Sequence, residues 1–248
     1  MADTFSLLVV FSLLGSIGGM CGAAALLLFP EPTRRSLLPS LLGYATGTLL
    51  AAAFLGMIPK GVAQAPALNV SATVLAGIVV FFLMEKIVVW RHCHAAECEV
   101  HGEAGPLILF GDGLHNFVDG LVIAAAFVTS IPLGIAASFA VIAHEVPQEV
   151  GDFAILLDSG YSRRRAFALN LLSSLTTLPG ALAAYFYLAT ASHMVPYILA
   201  LSAASFIYVA MADLVPTMHQ TTGLPQSLRQ LLCILLGIAT IAFFRFHG

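Results

Sequence analysis

From Phe5 to Phe29 the chain holds no charged residue, and seven further stretches of similar length and character follow it. A run of about 20 apolar residues is what an α-helix needs to cross the hydrocarbon of a bilayer. The stretches therefore read as membrane spans near 5–29, 36–58, 67–90, 107–129, 132–157, 166–190, 195–216 and 226–245, bounded by charge, proline or polar clusters. The expected fold is all-α, a polytopic membrane protein of eight transmembrane helices. A transmembrane barrel would need segments of roughly ten residues alternating strictly in polarity, whereas these are apolar nearly all round. Composition excludes a soluble domain as well: 59% of the 248 residues are apolar and 9% charged, too little polar surface to face water. A net charge of −3, with no basic run longer than Arg163-Arg164-Arg165, excludes nucleic acid as a partner and leaves the lipid bilayer.

Residues 1–248 thus read as a single transmembrane domain with short connections, the longest polar stretch being the loop 91–105. Two of the four cysteines, Cys93 and Cys98, lie in that loop beside histidines, so a metal reading suits them better than a disulfide framework. The first apolar stretch is too long for a secretory signal core and is expected to stay as a span. Arg34, Arg35, Lys86, Arg91, Arg163, Arg164, Arg165 and Arg229 fall on the side of alternate loops, and only Lys60 and Arg245 on the other. By the positive-inside rule both termini should lie outside the cytoplasm and loop 91–105 within it.

Ionisable groups at bilayer depth cost ~2.5–3.5 kcal/mol each on insertion scales and point to function. Here they concentrate on two consecutive spans: Asp112, His115, Asn116 and Asp119 on the fourth, and His144, Glu145, Gln148, Glu149 and Asp152 on the fifth. At about 100° per residue the first set falls within an arc of roughly 100° and the second within about 140°. If the two stripes face each other they form a metal site. The pairs His115/Asp119 and His144/Gln148 have the i, i+4 spacing that brings side chains from successive turns to one ion. Pro147 frees the carbonyl of Ala143, which implies a kink or an additional oxygen beside the cluster. Imidazole with carboxylate suits Zn²⁺, Fe²⁺, Mn²⁺ and similar divalent ions, and the lack of Cys or Met in the stripes argues against copper(I). The alternatives are a hydrogen-bonded network that only registers the helices and a proton relay without metal.

The segments His115-Asn116-Phe117-Val118-Asp119-Gly120 and His144-Glu145-Val146-Pro147-Gln148-Glu149-Val150-Gly151-Asp152 resemble the paired signatures HNFxDG and HExPHExGD of the ZIP family of divalent-metal transporters. The resemblance extends to the eight spans, the outward termini, the His-rich loop and the tail of span 7, Phe206 to Ala210 with Asp213 and Pro216. It implies import of zinc, or of iron, manganese or cadmium, into the cytoplasm as transported substrate, a homodimer, and no organic cofactor or catalytic residue. The residues it implies as metal-binding are His115, Asn116, Asp119, His144, Glu145, Gln148 and Glu149. Gln148 departs from the pattern, which has histidine there, and a neutral carbonyl oxygen in place of imidazole should tilt preference toward harder ions. Span 2, with Leu49 to Gly56 reading LLAAAFLG, lacks the ligands that some members supply.

A rival reading is an intramembrane metal-dependent hydrolase, because His144 to Gln148 resembles the metalloprotease pattern HExxH. The second histidine is missing, however, and a proline sits inside the motif. His92, Cys93, His94, Cys98 and His101 gather five donors suited to weak capture of metal, or form a solvated loop with incidental histidines. His193, His219 and His247 read as isolated interfacial residues.

Overall fold

A computed structural model describes residues 2–92, 104–220 and 223–247. They form eight long helices: α1 (2–27), α2 (Glu31–Val62), α3 (Ala67–His92), α4 (Ala104–Thr129), α5 (Ile131–Asp158), α6 (Arg163–Thr190), α7 (Ser192–His219) and α8 (Leu224–His247). Seven are long and apolar enough to cross a membrane. The remaining one, α5, has ample length at 28 residues, and its hydropathy is diluted by His144, Glu145, Gln148, Glu149 and Asp152. The fold is that of a multi-pass helical membrane protein.

Helix ends differ from the expected spans where capping, not hydropathy, sets them. Helix α2 starts at Glu31, five residues before the apolar run: Pro32 occupies its first turn, and Glu31 pairs with Arg35 one turn on at 2.6 Å. Helix α3 extends to His92, while Cys93, His94, Cys98 and His101 of the expected donor loop lie outside the described residues. Helices α1, α2 and α7 each contain a π-helical segment, at Leu14–Gly18, Ala52–Met57 and Val209–Leu214. Helix α6 is interrupted between Ser174 and Thr177.

Helices α4 and α5 form the centre. The first packs on α5, α6 and α7, and the second on α1, α2, α4 and α8, while α2 pairs with α8 and α3 with α7. Close approach of α4 to α6 depends on two glycines. A Cβ on Gly120 would run into the carbonyl oxygen of Thr177, and one on Gly180 into that of Phe117. Small residues at a crossing let backbones touch in a bilayer, where lipid offers no hydrophobic driving force for association.

Candidate metal centre

One residue, Ser130, joins α4 to α5. It is extended (φ −168°, ψ 149°), its Oγ accepts from the Leu133 amide, and Pro132 opens the next helix. A turn this short fixes the register of the two antiparallel helices, because residues equidistant from Ser130 must come opposite one another. His115 therefore meets the level of His144 and Glu145, and Asp112 that of Gln148, with His115 roughly 22 Å from the turn at 1.5 Å per residue.

The register brings four donors together. His144 Nε2 lies 3.1 Å from both His115 Nε2 and Asp119 Oδ2, and 3.5 Å from Glu145 Oε1. His115 Nε2 lies 3.7 Å from Asp119 Oδ2 and 3.6 Å from Glu145 Oε1. A zinc ion held tetrahedrally at about 2.0–2.1 Å separates its ligand atoms by about 3.3 Å; the five spacings above run from 3.1 to 3.7 Å, and all four atoms lie within 4.8 Å of one another. His144, Asp119 and Glu145 are buried, while the His115 side chain keeps 20% of its surface.

The hydrogen bonding points the same way. His144 Nδ1 is 2.9 Å from the carbonyl oxygen of Ala140, which can only accept, so a neutral His144 carries its proton on Nδ1 and turns the Nε2 lone pair to the cluster. Among the described residues, neither oxygen of Asp119 nor of Glu145 has a hydrogen-bond donor. Buried carboxylates without donors are costly, and a cation at the centre would satisfy Asp119 Oδ2 and Glu145 Oε1, the two oxygens that face the imidazoles. Gly19 of α1 makes room: a Cβ there would stand 2.9 Å from Glu145 Cβ.

A second acidic group adjoins the first. Asp112, Glu145 and Glu149 each offer an oxygen within 4.8 Å of the others, and Asp112 Oδ2 and Glu149 Oε2 lack donors. Asp112 Oδ1 accepts from Asn116 Nδ2 at 2.8 Å and from Gln148 Nε2 at 3.3 Å. Of the seven expected ligands, His115, Asp119, His144 and Glu145 thus form the four-donor cluster and Glu149 the adjoining group. Asn116 and Gln148 donate to Asp112 through their amide nitrogens, and Asn116 Oδ1 accepts from the Thr177 hydroxyl at 3.0 Å. Helix α5 continues through Pro147.

Residues on α6 were missed by reading the sequence for charge. Ser174 donates to Glu149 Oε1, Thr177 holds Asn116, and Asn170 Nδ2 reaches the Glu149 carbonyl at 3.3 Å. The signal was present, since Ser173, Ser174, Thr176 and Thr177 form a polar knot in an apolar span, at the interruption of α6.

Two cavities flank the centre. One, of about 210 Å³, lies between α3, α4 and α7, is lined by His115, Glu85 and Asp213, and is crossed by the hydrogen bond from Tyr208 to Glu85. The other, of about 440 Å³, lies between the ends of α1, α2, α5 and α6, with Glu149 and Asn170 in its wall.

A family model described as ZIP Zinc transporter matches residues 90–245. Zinc transporter ZIP13 homolog of Drosophila melanogaster is 30% identical to this chain over 94% of it and 88% of the relative. Zinc transporter ZIP13 of Pongo abelii is 31% identical over 95% and 78%. Human zinc transporter ZIP4 reaches 45% identity over 45% of the chain and 17% of its own length.

Proposed function

Because the chain belongs to the ZIP family of zinc transporters, we propose that it carries a divalent metal ion, zinc foremost, across the membrane into the cytoplasm by way of the cluster between α4 and α5. The observation that carries this reading is the convergence of His115, Asp119, His144 and Glu145, with five donor-to-donor spacings of 3.1–3.7 Å that suit one small ion. Two carboxylates balance the charge of a dication and two neutral imidazoles complete its coordination, so the ion can shed its water at a depth where a bare charge could not remain. Glu149 and Asp112 extend the oxygens beyond the cluster and give the ion a next position. Asn116 and Gln148 act on Asp112, and Ser174 on Glu149, orienting carboxylates in place of binding metal.

Inward direction rests on the positive-inside reading, with the termini outside the cytoplasm and loop 91–105 within it. Homodimeric assembly, implied by the family resemblance, belongs to the same proposal. The relatives are named as transporters, and passage of an ion through the cluster breaks no covalent bond. The test is zinc uptake into proteoliposomes of the purified full chain. Zinc accumulation above that of empty vesicles is expected, and none at any imposed zinc gradient would overturn the reading.

A further inference from the structure

The 440 Å³ cavity differs in kind from the metal centre it adjoins. Its walls are mostly apolar, formed by Ala24 and Leu27 of α1, Phe153 and Leu157 of α5 and Phe167 of α6, and its mouth carries Arg34 and Arg163. Three other arginines at this end have partners: Arg35 pairs with Glu31, Arg229 donates to Ser36, and Arg165 lies over the Tyr161 ring. Among the described residues neither Arg34 nor Arg163 has an ion pair or side-chain hydrogen bond.

Helix polarity sharpens the contrast. Arg34 and Arg35 lie in the first turn or so of α2, and Arg163, Arg164 and Arg165 open α6. The N-terminal end of a helix carries partial positive charge, so each cation there opposes the macrodipole by ~0.3–1 kcal/mol. Five arginines on two neighbouring helix starts concentrate positive charge that only Glu31 offsets through an ion pair among the described residues. Such an end repels a departing metal ion and attracts an anion.

We propose that this cavity is a binding site for an anionic phospholipid, its phosphate between Arg34 and Arg163 and an acyl chain along Leu27, Phe153, Leu157 and Phe167. Charge complementarity selects the headgroup, and the apolar wall selects a lipid over a free anion, which would leave the hydrocarbon-lined space unfilled. Basic pockets between transmembrane helices at the membrane surface recognise lipid headgroups on this principle, and about 440 Å³ lies within the range of cavities that enclose a ligand. Exposed Leu28 and Phe29 beside the mouth keep the entrance at the level of the lipid. Glu149 and Asn170 share the wall, so an occupant stands beside the α5–α6 contact without reaching the four-donor cluster.

The site can be tested without metal and independently of transport. Native mass spectrometry of the full chain in mild detergent, titrated with phosphatidylglycerol or phosphatidylcholine, should show one tightly retained phosphatidylglycerol and at least tenfold weaker retention of phosphatidylcholine. The double substitution Arg34→Gln/Arg163→Gln should weaken phosphatidylglycerol at least tenfold, whereas Lys86→Gln/Arg91→Gln should leave it unchanged. Leu157→Trp, which fills the cavity and keeps both arginines, should weaken it as well. Equal retention of the two lipids, or indifference to Arg34→Gln/Arg163→Gln, would overturn the proposal. So would displacement of the lipid by millimolar inorganic phosphate, which would mark a site for free anions.

Discussion

The α4–α5 hairpin is two different materials. Near the turn, Val122 to Phe127 on α4 and Leu133, Ala136, Ala137, Ala140 and Val141 on α5 are all buried at 2% exposure or less. Further from the turn the same helices carry Asp112, His115 and Asp119 against His144, Glu145 and Glu149, with carboxylate oxygens that lack donors. The backbone is continuous helix through both halves, and the side chains on it change in kind. Small apolar residues close the hairpin to interior density, and charged ones gather donors that could hold a metal ion. Both cavities described above approach from the open end, past Gly111 and Glu149.

The largest test of this contrast lies in the polar half. Asp119→Ala or His144→Ala should reduce zinc uptake into proteoliposomes to background while circular dichroism keeps the helical signal. Near-normal uptake in both, and in His115→Ala, would show that the cluster is not the route. Next comes the α4–α6 crossing that supports both halves. Gly120→Val drives a side chain into the Thr177 carbonyl, and loss of monodisperse protein on size-exclusion chromatography is expected. Normal folding would mean that the helices pack less closely than described.

In the sealed half, Ala137→Leu should cost about 1–3 kcal/mol by overpacking, read as a lowered thermal unfolding midpoint in detergent. Metal affinity in the surviving folded protein should not change, and a parallel loss of zinc binding would mean that the halves are not separable. The smallest effect is expected at Gln148, which contacts Asp112 and not the four donors. Gln148→His adds an imidazole beside the centre and should raise zinc over manganese preference by about tenfold, or ~1.4 kcal/mol. An unchanged ratio in a competition titration would confine residue 148 to its contact with Asp112.

The two stripes on the fourth and fifth spans were legible in the sequence because a 100° repeat places His115 with Asp119 and His144 with Glu145 without knowledge of anything else. What periodicity could not supply is the vertical register. That follows from a one-residue turn at Ser130, which the spans ending near 129 and starting near 132 approximate without fixing. What the stripe could not show is how the amides of Asn116 and Gln148 are oriented: each turns its nitrogen to Asp112 Oδ1, and the Asn116 oxygen accepts from Thr177. The π-helical segments of α1, α2 and α7 leave no mark in hydropathy, since they change how the chain winds and not what it is made of.

The single-residue turn also limits how the protein can move. Sliding α4 past α5 by one helical turn, a shift of about 5.4 Å, would tear out the Ser130 cap and leave no slack to absorb the step. The hairpin is therefore a rigid cartridge. In the transport proposed above, any motion of the four donors must carry both helices of that cartridge together, so the cluster keeps its dimensions throughout.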